Sequence, residues 1–311
     1  MRTFVGVDAL EPPGVGTAIT IGTFDGVHLG HRALIARTIA AAREREIEAA
    51  VVTWDRHPAA TLRPDAMPPL LSTPERKIEL LSARGADILA VLPFDKELSK
   101  WPPEKFVGDV LVKGLGAKLI AVGEDWRFGH KAAGDVTLLA SMGQDLGFEV
   151  DGVSLEALGE EPITSSRVRR TVASGDVELA HRLLGRPFDL DGRVVHGDHR
   201  GKELGFPTAN VDLPFELAHP AQGVYAGRAR VRDVWYVAAT NVGVNPTFGG
   251  TAPLRVESYL LDFAEEIYDE PIRIEFWARL RDELKFPTAG ALIEQMHADV
   301  AATRQIVERG L

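Results

Sequence analysis

The chain has 311 residues, 45% of them hydrophobic and 26% charged, and this length and composition predict a globular protein with two domains. Its net charge of −10 argues against binding to a nucleic-acid backbone, and the absence of cysteine excludes disulfides, thiolate metal sites and cysteine nucleophiles. No apolar run approaches the ~18 residues of a membrane span, and residues 1–14 lack the apolar core of a signal peptide. We therefore expect a cytoplasmic protein that acts on small molecules, with neither nucleic acid nor membrane as a partner.

The first half alternates between short apolar runs and segments whose apolar residues have helical spacing. Predicted strands occupy residues 17–21, 49–53, 87–92, 118–122 and 148–153. Predicted helices occupy residues 32–46, 74–83, 103–112, 136–146, 166–173 and 177–184. Alternation of this kind, with apolar strands, predicts a parallel sheet covered by helices on both faces, which is a Rossmann-like α/β domain.

The second half changes texture near residue 186. Alternating segments rich in β-branched and aromatic residues are separated by Gly, Pro and Asp turns, and they occupy residues 193–196, 224–231, 234–239, 254–261 and 272–280. Helical spacing returns only at residues 289–307. This pattern predicts a small antiparallel β-barrel with a C-terminal helix. We place the first domain at residues 1–185 and the second at residues 186–311.

The most informative stretch is G-T-F-D-G-V-H-L-G-H, residues 22–31, between the first predicted strand and a helix expected to begin at or near His31. The unpaired N–H groups and positive dipole of a helix N-terminus attract anions, and imidazoles add donors for phosphate oxygens. A single histidine or D-G turn is usually structural, but the combination in this context favours a nucleotide site. The predicted triphosphate-binding residues are Gly22, Phe24, Asp25, His28, Gly30 and His31.

A second candidate anion site lies at residues 165–170, S-S-R-V-R-R, where a predicted helix opens with three arginines. Cations oppose the dipole at a helix N-terminus, so a bound anion would compensate. The hydroxyls of Ser165 and Ser166 would bind its oxygens, and an arginine would neutralise a leaving pyrophosphate. The alternative is a solvated basic face, which costs only tenths of a kcal/mol per charge.

Residues 197–210 read G-D-H-R-G-K-E-L-G-F-P-T-A-N. This is not a Walker A loop, because Glu203 stands where Ser or Thr would bind magnesium. In an extended segment Thr208 and Asn210 point the same way, and two neutral oxygens on one face suit Mg²⁺, which takes its other ligands from water and phosphates. The alternative is a turn in which both side chains satisfy backbone groups.

Several of these motifs resemble those of one family. G-x-F-D-G-x-H-x-G-H is similar to the HxGH signature of nucleotidyltransferases and, in its longer form, to the adenylyltransferase half of bacterial bifunctional riboflavin kinase/FAD synthetases. Residues 163–169 resemble the accompanying I-S-S-T-x-x-R signature, and G-K-x-L-G-F-P-T-A-N resembles the riboflavin kinase signature. The resemblance implies that the second domain converts riboflavin and ATP to FMN. It also implies that the first converts FMN and ATP to FAD and pyrophosphate, with Mg²⁺ in both steps.

The same resemblance implies roles for individual residues. In the first domain His28, His31 and Arg169 would hold the phosphates, and flavin contacts would come from Asp55, His57, Asp125, Trp126 and Phe128. In the second domain Glu257 matches the family's catalytic glutamate. The implied ATP-binding residues there are Gly197, Gly201, Lys202, Gly205, Phe206, Pro207, Thr208 and Asn210, with Thr208 and Asn210 as metal ligands.

Other interpretations of these residues remain open. Residues 54–58 also fit a strand-ending turn with Asp55 as a cap and His57 exposed, and Trp126 and Phe128 also fit a hydrophobic core. Glu257 also fits an exposed strand glutamate. At the level of function, the alternatives are a riboflavin kinase with a degenerate or differently selective nucleotidyltransferase domain, and a non-catalytic flavin-binding protein. We expect a monomer or a weak homo-oligomer.

Overall fold

The computed structural model describes residues 1–197, 205–214, 217–244 and 254–310. The chain divides into two compact units. The first contains Met1–Leu70 and Pro74–Ser165, and the second contains Leu71–Thr73 and Ser166–Leu311. The domain boundary at residue 186 stays a prediction. Gly201 and Lys202, both predicted to bind ATP, lie outside the described residues.

The first unit, all of whose residues are described, is built on a parallel sheet of six strands, and the prediction of this architecture is confirmed. The strands are β1 Arg2–Val5, β2 Thr17–Ile21, β3 Glu48–Trp54, β4 Ile88–Leu92, β5 Ala117–Gly123 and β6 Glu149–Val153. The main helices are α1 Leu29–Glu44, α2 Pro58–Leu62, α3 Pro74–Ser82, α4 Pro103–Phe106, which continues as a π-helix over Val107–Gly114, and α5 Val136–Leu146. A short hairpin of β7 Ala157–Leu158 and β8 Glu161–Pro162 follows.

Both faces of this sheet are covered because alternate strand residues point into two separate cores. Ile19 and Ile21 of β2 belong to one core, whereas Ala18 belongs to the other. All five residues of β2 are buried, as are all five of β4. Strands buried on both sides appear in the sequence as continuous apolar runs, which is why their positions could be predicted.

The strand order is β1-β4-β3-β2-β5-β6, so β2 lies between β3 on one side and β5 on the other. The chain moves from β2 to β3 and β4 in one direction and later returns to β5 in the other. In open α/β sheets ligands bind at the carboxyl ends of strands where the order reverses in this way. Residues 22–31 follow β2 directly at this position.

Several features of the first unit were not predicted, among them the hairpin of β7 and β8. β1 is only four residues long and mostly exposed, so it has no apolar run to indicate it. α2 is a five-residue helix that begins at Pro58. The predicted helix at 103–112 is instead one α-helical turn followed by a π-helix that ends at Gly114.

The second unit, within the described ranges, contains a closed antiparallel barrel of six strands, and this prediction too is confirmed. The strands are β9 Phe188–Val195, β10 Ala209–Asp212, β11 Gly223–Val231, β12 Val234–Val244, β13 Leu254–Leu260 and β14 Pro271–Arg281. The barrel closes because β9 pairs with both β10 and β14. β10 was not predicted as a strand. Helices α6 Ser165–Ala173 and α7 Val177–Leu184 precede the barrel, and α8 Ala289–Arg309 follows it.

Aromatic side chains fill the barrel interior. Tyr225, Phe188 and Phe276 are fully buried, and the ring of Tyr225 meets that of Phe276 edge to face at 5.5 Å. The C-terminal helix α8 is joined to the barrel by an ion pair, in which Nη2 of the partly buried Arg281 lies 2.7 Å from Oδ2 of the buried Asp299. The barrel and its helix therefore form a rigid support for the residues on the outer face of β10 and β13.

Candidate active sites

His28 caps the first helix of the chain. Its Nδ1 accepts a hydrogen bond from the backbone N–H of His31 at 3.3 Å, and the helix begins at Leu29, two residues earlier than predicted. The cap requires a lone pair on Nδ1, so a neutral imidazole carries its hydrogen on Nε2. His28 is only 4% exposed, and it is therefore held in one orientation.

The ring of His31 stacks on that of His28, with centroids 3.5 Å apart, and it meets the edge of Phe24 at 5.1 Å. The loop that carries these rings is strained, because Phe24 and Val27 have φ of 50° and 42° without being glycine. Such residues cost about 1–3 kcal/mol each and persist where the surroundings determine them. The side chains of Phe24 and Val27 are buried, so the core under the loop fixes the imidazoles of His28 and His31.

Gly30 is a position of this segment where a side chain would press on His28. A Cβ atom there would lie 3.1 Å from the carbonyl oxygen of Ile163 and 3.3 Å from the ring of His28. A side chain at Gly30 would therefore have to displace the ring of His28 or the backbone of Ile163 by a few tenths of an ångström.

We expect Gly30→Ala to lower FAD formation about tenfold, because a displacement of His28 by a few tenths of an ångström misplaces the phosphate donors. Initial rates with FMN and ATP measure this effect. Gly108→Ala is the matched control, since a Cβ atom there would meet nothing within 4 Å. Equal rates for the two variants would show that the packing at Gly30 is unimportant.

The start of α6 is tied to the same turn. Ser165 Oγ donates a hydrogen bond to the backbone oxygen of Asp25 at 3.0 Å, and Asp25 is itself only 4% exposed. Ser165 therefore joins two segments that were predicted to bind phosphate. Ser166 and Arg169 belong to the second compact unit, and their roles as phosphate ligands stay predictions.

Residues 54–58 form a turn after β3 in which His57, and not Asp55, caps the following helix. His57 Nδ1 accepts from the N–H of Ala59 at 3.1 Å. Asp55 Oδ1 instead accepts from the N–H of Phe94 at 2.9 Å, and Arg56 Nη2 lies 2.8 Å from its other oxygen. Burial raises the pKa of Asp55, but the hydrogen bonds from Arg56 and Phe94 outweigh it and hold the pKa below its usual range.

In the segment after β5, the residues predicted to contact the flavin differ in exposure. Asp125 is exposed, whereas Phe128 is buried in one of the two cores of the sheet. Trp126 is partly buried and stacks on Phe128, with ring centroids 4.5 Å apart. Phe128 is therefore a core residue. Of the two aromatic side chains, Trp126 is the one that keeps exposed surface.

Lys77 was not predicted as a residue of this region. It lies on α3, it is buried, and its Nζ donates to the backbone oxygen of Trp54 at 2.6 Å. Helical spacing could have indicated it, because Lys77 shares the buried face of α3 with Leu80 and Leu81.

On the barrel, three polar side chains line up across neighbouring strands. Asn210 of β10 lies opposite Glu257 of β13, which in turn lies opposite Asn241 of β12. Val256 and Ser258, the neighbours of Glu257, are buried in the barrel. Side chains alternate along a strand, so Glu257 is on the outer face together with its cross-strand partners.

Arg255, two residues before Glu257, shares this outer face and was not predicted as a site residue. Its Nη2 lies 2.7 Å from Glu257 Oε1 and 3.5 Å from Asn210 Oδ1. Next to it is a cavity of about 250 Å³, lined among others by Gly197, Asn210 and Arg255. A Cβ atom on Gly197 would lie 2.1 Å from Asn210 Nδ2, so a side chain at this position would displace the amide.

The other described residues that were predicted for the kinase site directly precede β10 in the sequence. Gly205 has a φ of 86°, which favours glycine, and Phe206 is buried between the rings of Tyr259 and His297. Phe206 therefore anchors the segment that leads through Pro207 and Thr208 into β10. In the described part of the chain no group of three or more His, Asp or Glu side chains could hold a metal ion. The roles of Thr208 and Asn210 as metal ligands stay predictions.

Comparison with known proteins finds a matching family for each half of the chain. A family model described as FAD synthetase matches residues 12–167, and one described as riboflavin kinase matches residues 184–307. The bifunctional riboflavin kinase/FMN adenylyltransferase of Pseudomonas fluorescens is 36% identical over 98% of both chains. The chain belongs to the bifunctional riboflavin kinase/FMN adenylyltransferase family. The protein of that name from Escherichia coli K12 is 34% identical, over 98% of this chain and 97% of its own length.

A solved structure also matches nearly the whole chain. It is described as a macrolide-efflux protein from Streptococcus pneumoniae, and it has a TM-score of 0.87 and 30% identity over 98% of this chain and 99% of its own. In the described ranges of the present chain, no helix is both long and apolar enough to cross a membrane. The family assignment rests on the two family models and on the relatives that share the bifunctional name.

Proposed function

We propose that the two sites divide the two reactions of the bifunctional family between residues 1–185 and residues 186–311. The chain phosphorylates riboflavin to FMN with ATP and then adenylylates FMN to FAD, releasing pyrophosphate. The first reaction is assigned to the barrel and the second to the parallel sheet. The strongest support for this division is the presence of a histidine-capped helix N-terminus after β2 and a cross-strand Asn210–Glu257 pair on the barrel.

In adenylyl transfer the phosphate of FMN attacks the α-phosphorus of ATP, and pyrophosphate leaves. The chain needs no nucleophile of its own for this reaction, so its residues act by positioning and by stabilising charge. His28 would donate from Nε2, and His31 from its stacked ring, to phosphate oxygens. Ser166 and Arg169 would bind the phosphates from the start of α6, with Arg169 neutralising the leaving group. The hydroxyl of Ser165, predicted as a further phosphate donor, instead donates its proton to the backbone oxygen of Asp25 and so holds the turn in place.

The flavin in this first site would lie against the segments that follow β3 and β5. Trp126 offers exposed ring surface for stacking, and Asp125 and Asp55 offer acceptors for polar groups. His57, whose Nδ1 is engaged in the helix cap, would contribute from the same turn as Asp55. Phe128 would support Trp126 from below without touching the flavin.

In the kinase reaction the ribityl 5′-hydroxyl attacks the γ-phosphorus of ATP and loses its proton, and ADP leaves as the bond between the γ-phosphorus and the bridging oxygen breaks. Glu257 is the proposed acceptor of that proton, and Arg255 orients its carboxylate through the 2.7 Å contact. The ATP phosphates would lie along the glycine-rich segment from Gly197 to Asn210. Arg255, which lines the adjoining cavity, is within the region where their charge would need compensation.

Magnesium is the cation that suits the donors on this face. Thr208 and Asn210 supply neutral oxygens, and Mg²⁺ takes few protein ligands, completing its shell with water and nucleotide phosphates. Gly197 leaves room for the amide of Asn210, because a Cβ atom there would overlap it. When bound, the ion would supply charge neutralisation at the transferred phosphoryl group.

A time course with riboflavin, ATP and Mg²⁺, resolved by chromatography, tests the complete assignment. We expect FMN to appear first and FAD to follow after a lag, because FMN is the substrate of the second reaction. Accumulation of FMN without FAD would favour a degenerate or differently selective nucleotidyltransferase domain. Binding of riboflavin without either product would favour the flavin-binding alternative and contradict the assignment of both sites.

A further inference from the structure

A side chain from the loop between β14 and α8 lies on the outer face of the barrel, near the proposed base. Glu283 belongs to this loop, and its Oε1 accepts a hydrogen bond from Nδ2 of Asn241 at 3.3 Å. Asn241 is the residue of β12 that lies directly opposite Glu257 of β13. Cross-strand neighbours have Cβ atoms about 4.5–5.5 Å apart, so one side chain separates the carboxylate of Glu283 from that of Glu257.

A glycine makes room for this carboxylate. Gly243 lies two residues after Asn241, and Val242 between them is buried inside the barrel. Because side chains alternate along a strand, Asn241 and Gly243 both face outward. A Cβ atom on Gly243 would lie 2.2 Å from Glu283 Oε1. The carboxylate therefore occupies the space in which a side chain of β12 would stand, opposite Arg255 of β13.

The Glu283–Asn241 pair still has hydrogen-bond acceptors to offer. In the described ranges no cationic side chain forms an ion pair with Glu283, and its bond to Asn241 engages one of its two oxygens. Asn241 donates through Nδ2, so its Oδ1 can accept from another group. Acceptors from two elements thus lie together beside Glu257, the group proposed to hold a hydroxyl of the substrate.

Riboflavin matches this set of acceptors, because its ribityl chain carries secondary hydroxyl groups next to the 5′-hydroxyl that is phosphorylated. We propose that Glu283 and Asn241 bind these secondary hydroxyls and so position the 5′-hydroxyl on Glu257. A hydroxyl that donates to a carboxylate forms one of the stronger hydrogen bonds, and an analogue without the hydroxyl loses it. This inference rests on the proposed function of the barrel, and it makes the pair a determinant of specificity for the polyol chain.

Two variants remove the carboxylate from this position by different means. Glu283→Ala deletes it, whereas Gly243→Ala keeps it and displaces it, because the three atoms nearest to the added Cβ all belong to the flexible end of Glu283. We expect each variant to lower kcat/KM for riboflavin about tenfold or more, the scale of a hydrogen bond to a charged group. Adenylylation of added FMN should continue at the wild-type rate. Glu294→Ala, at an exposed glutamate of α8, is the matched control.

A flavin with a 5-hydroxypentyl chain in place of the ribityl chain separates hydroxyl binding from support of the fold. It keeps the hydroxyl that is phosphorylated and lacks the secondary ones. We expect the wild-type enzyme to use it less well than riboflavin, and both variants to use it as well as the wild type does. If the variants lose the same factor with both flavins, Glu283 only braces the loop and the proposal is overturned. Undiminished phosphorylation of riboflavin by both variants would overturn it as well.

The wild-type enzyme, assayed first with riboflavin and ATP, distinguishes failure of this inference from failure of the proposed function. If it forms no FMN, the assignment of the barrel site fails. If it forms FMN and both variants keep the wild-type kcat/KM, only the inference about Glu283 and Asn241 fails. Thermal unfolding, followed by circular dichroism, identifies a variant that does not fold, and the other variant then carries the test.

Discussion

Replacing Glu257 with glutamine is expected to lower the kcat for riboflavin phosphorylation by about 10²–10⁴-fold, the usual contribution of a positioned general base. Glutamine keeps the size of the side chain and an oxygen near Arg255, but it cannot accept a proton at neutral pH. The loss should therefore fall on kcat, with little change in the KM for riboflavin. Rates of FMN formation at saturating ATP measure the effect.

The Glu257→Gln protein carries its own control in the other unit. Supplied directly with FMN and ATP, it should form FAD at the wild-type rate, because the residues proposed for that step belong to other segments. Glu266→Gln, at an exposed glutamate of the second unit, should leave both reactions unchanged. If Glu257→Gln phosphorylates riboflavin within a factor of about two of wild type, Glu257 is not the base.

The second large effect is expected for His31→Ala, which should lower FAD formation from FMN and ATP by about 10²–10³-fold, the cost of removing one preorganised donor. The substitution removes a ring that stacks on His28 at 3.5 Å, and it leaves the backbone N–H that His28 caps. Initial rates at saturating FMN measure it. Arg169→Ala should produce a loss of similar size, because it removes the charge proposed to stabilise the leaving pyrophosphate.

Riboflavin phosphorylation by the same preparations is the internal control for these two variants. It should continue at the wild-type rate, so that FMN accumulates where the wild-type enzyme makes FAD. Unchanged FAD formation in either variant would remove that residue from the site. A parallel loss of both reactions would instead indicate damage to the whole protein.

The sequence predicted the elements whose burial leaves a direct pattern. β2 and β4 are buried on both faces, so they occur as apolar runs, and α5 and α7 were predicted with their observed bounds. β10 was not predicted because it is four residues long and has no apolar run of its own. Its backbone groups are paired with those of β9 and β13. Strands of this kind form because of hydrogen bonds to distant segments, which a sequence pattern does not show.

The site was predicted to the extent that its residues lie in continuous motifs. The segment from Gly22 to His31 could be recognised from its composition, but the start of its helix could not, because histidine is not among the preferred N-cap residues. Lys77 and Arg255 lie outside these motifs. Their importance depends on which groups the fold brings beside them, namely Trp54 for Lys77 and Glu257 for Arg255.

The way each sheet ends has a consequence for aggregation. In the described part of the barrel every strand has a neighbour on both sides, so no backbone flank is open to another molecule. The parallel sheet instead ends in β1 and β6, and Val5 of β1 is 71% exposed. Intermolecular strand pairing on heating should therefore begin with β1, and an additional charge at Val5 should delay precipitation without altering either enzymatic reaction.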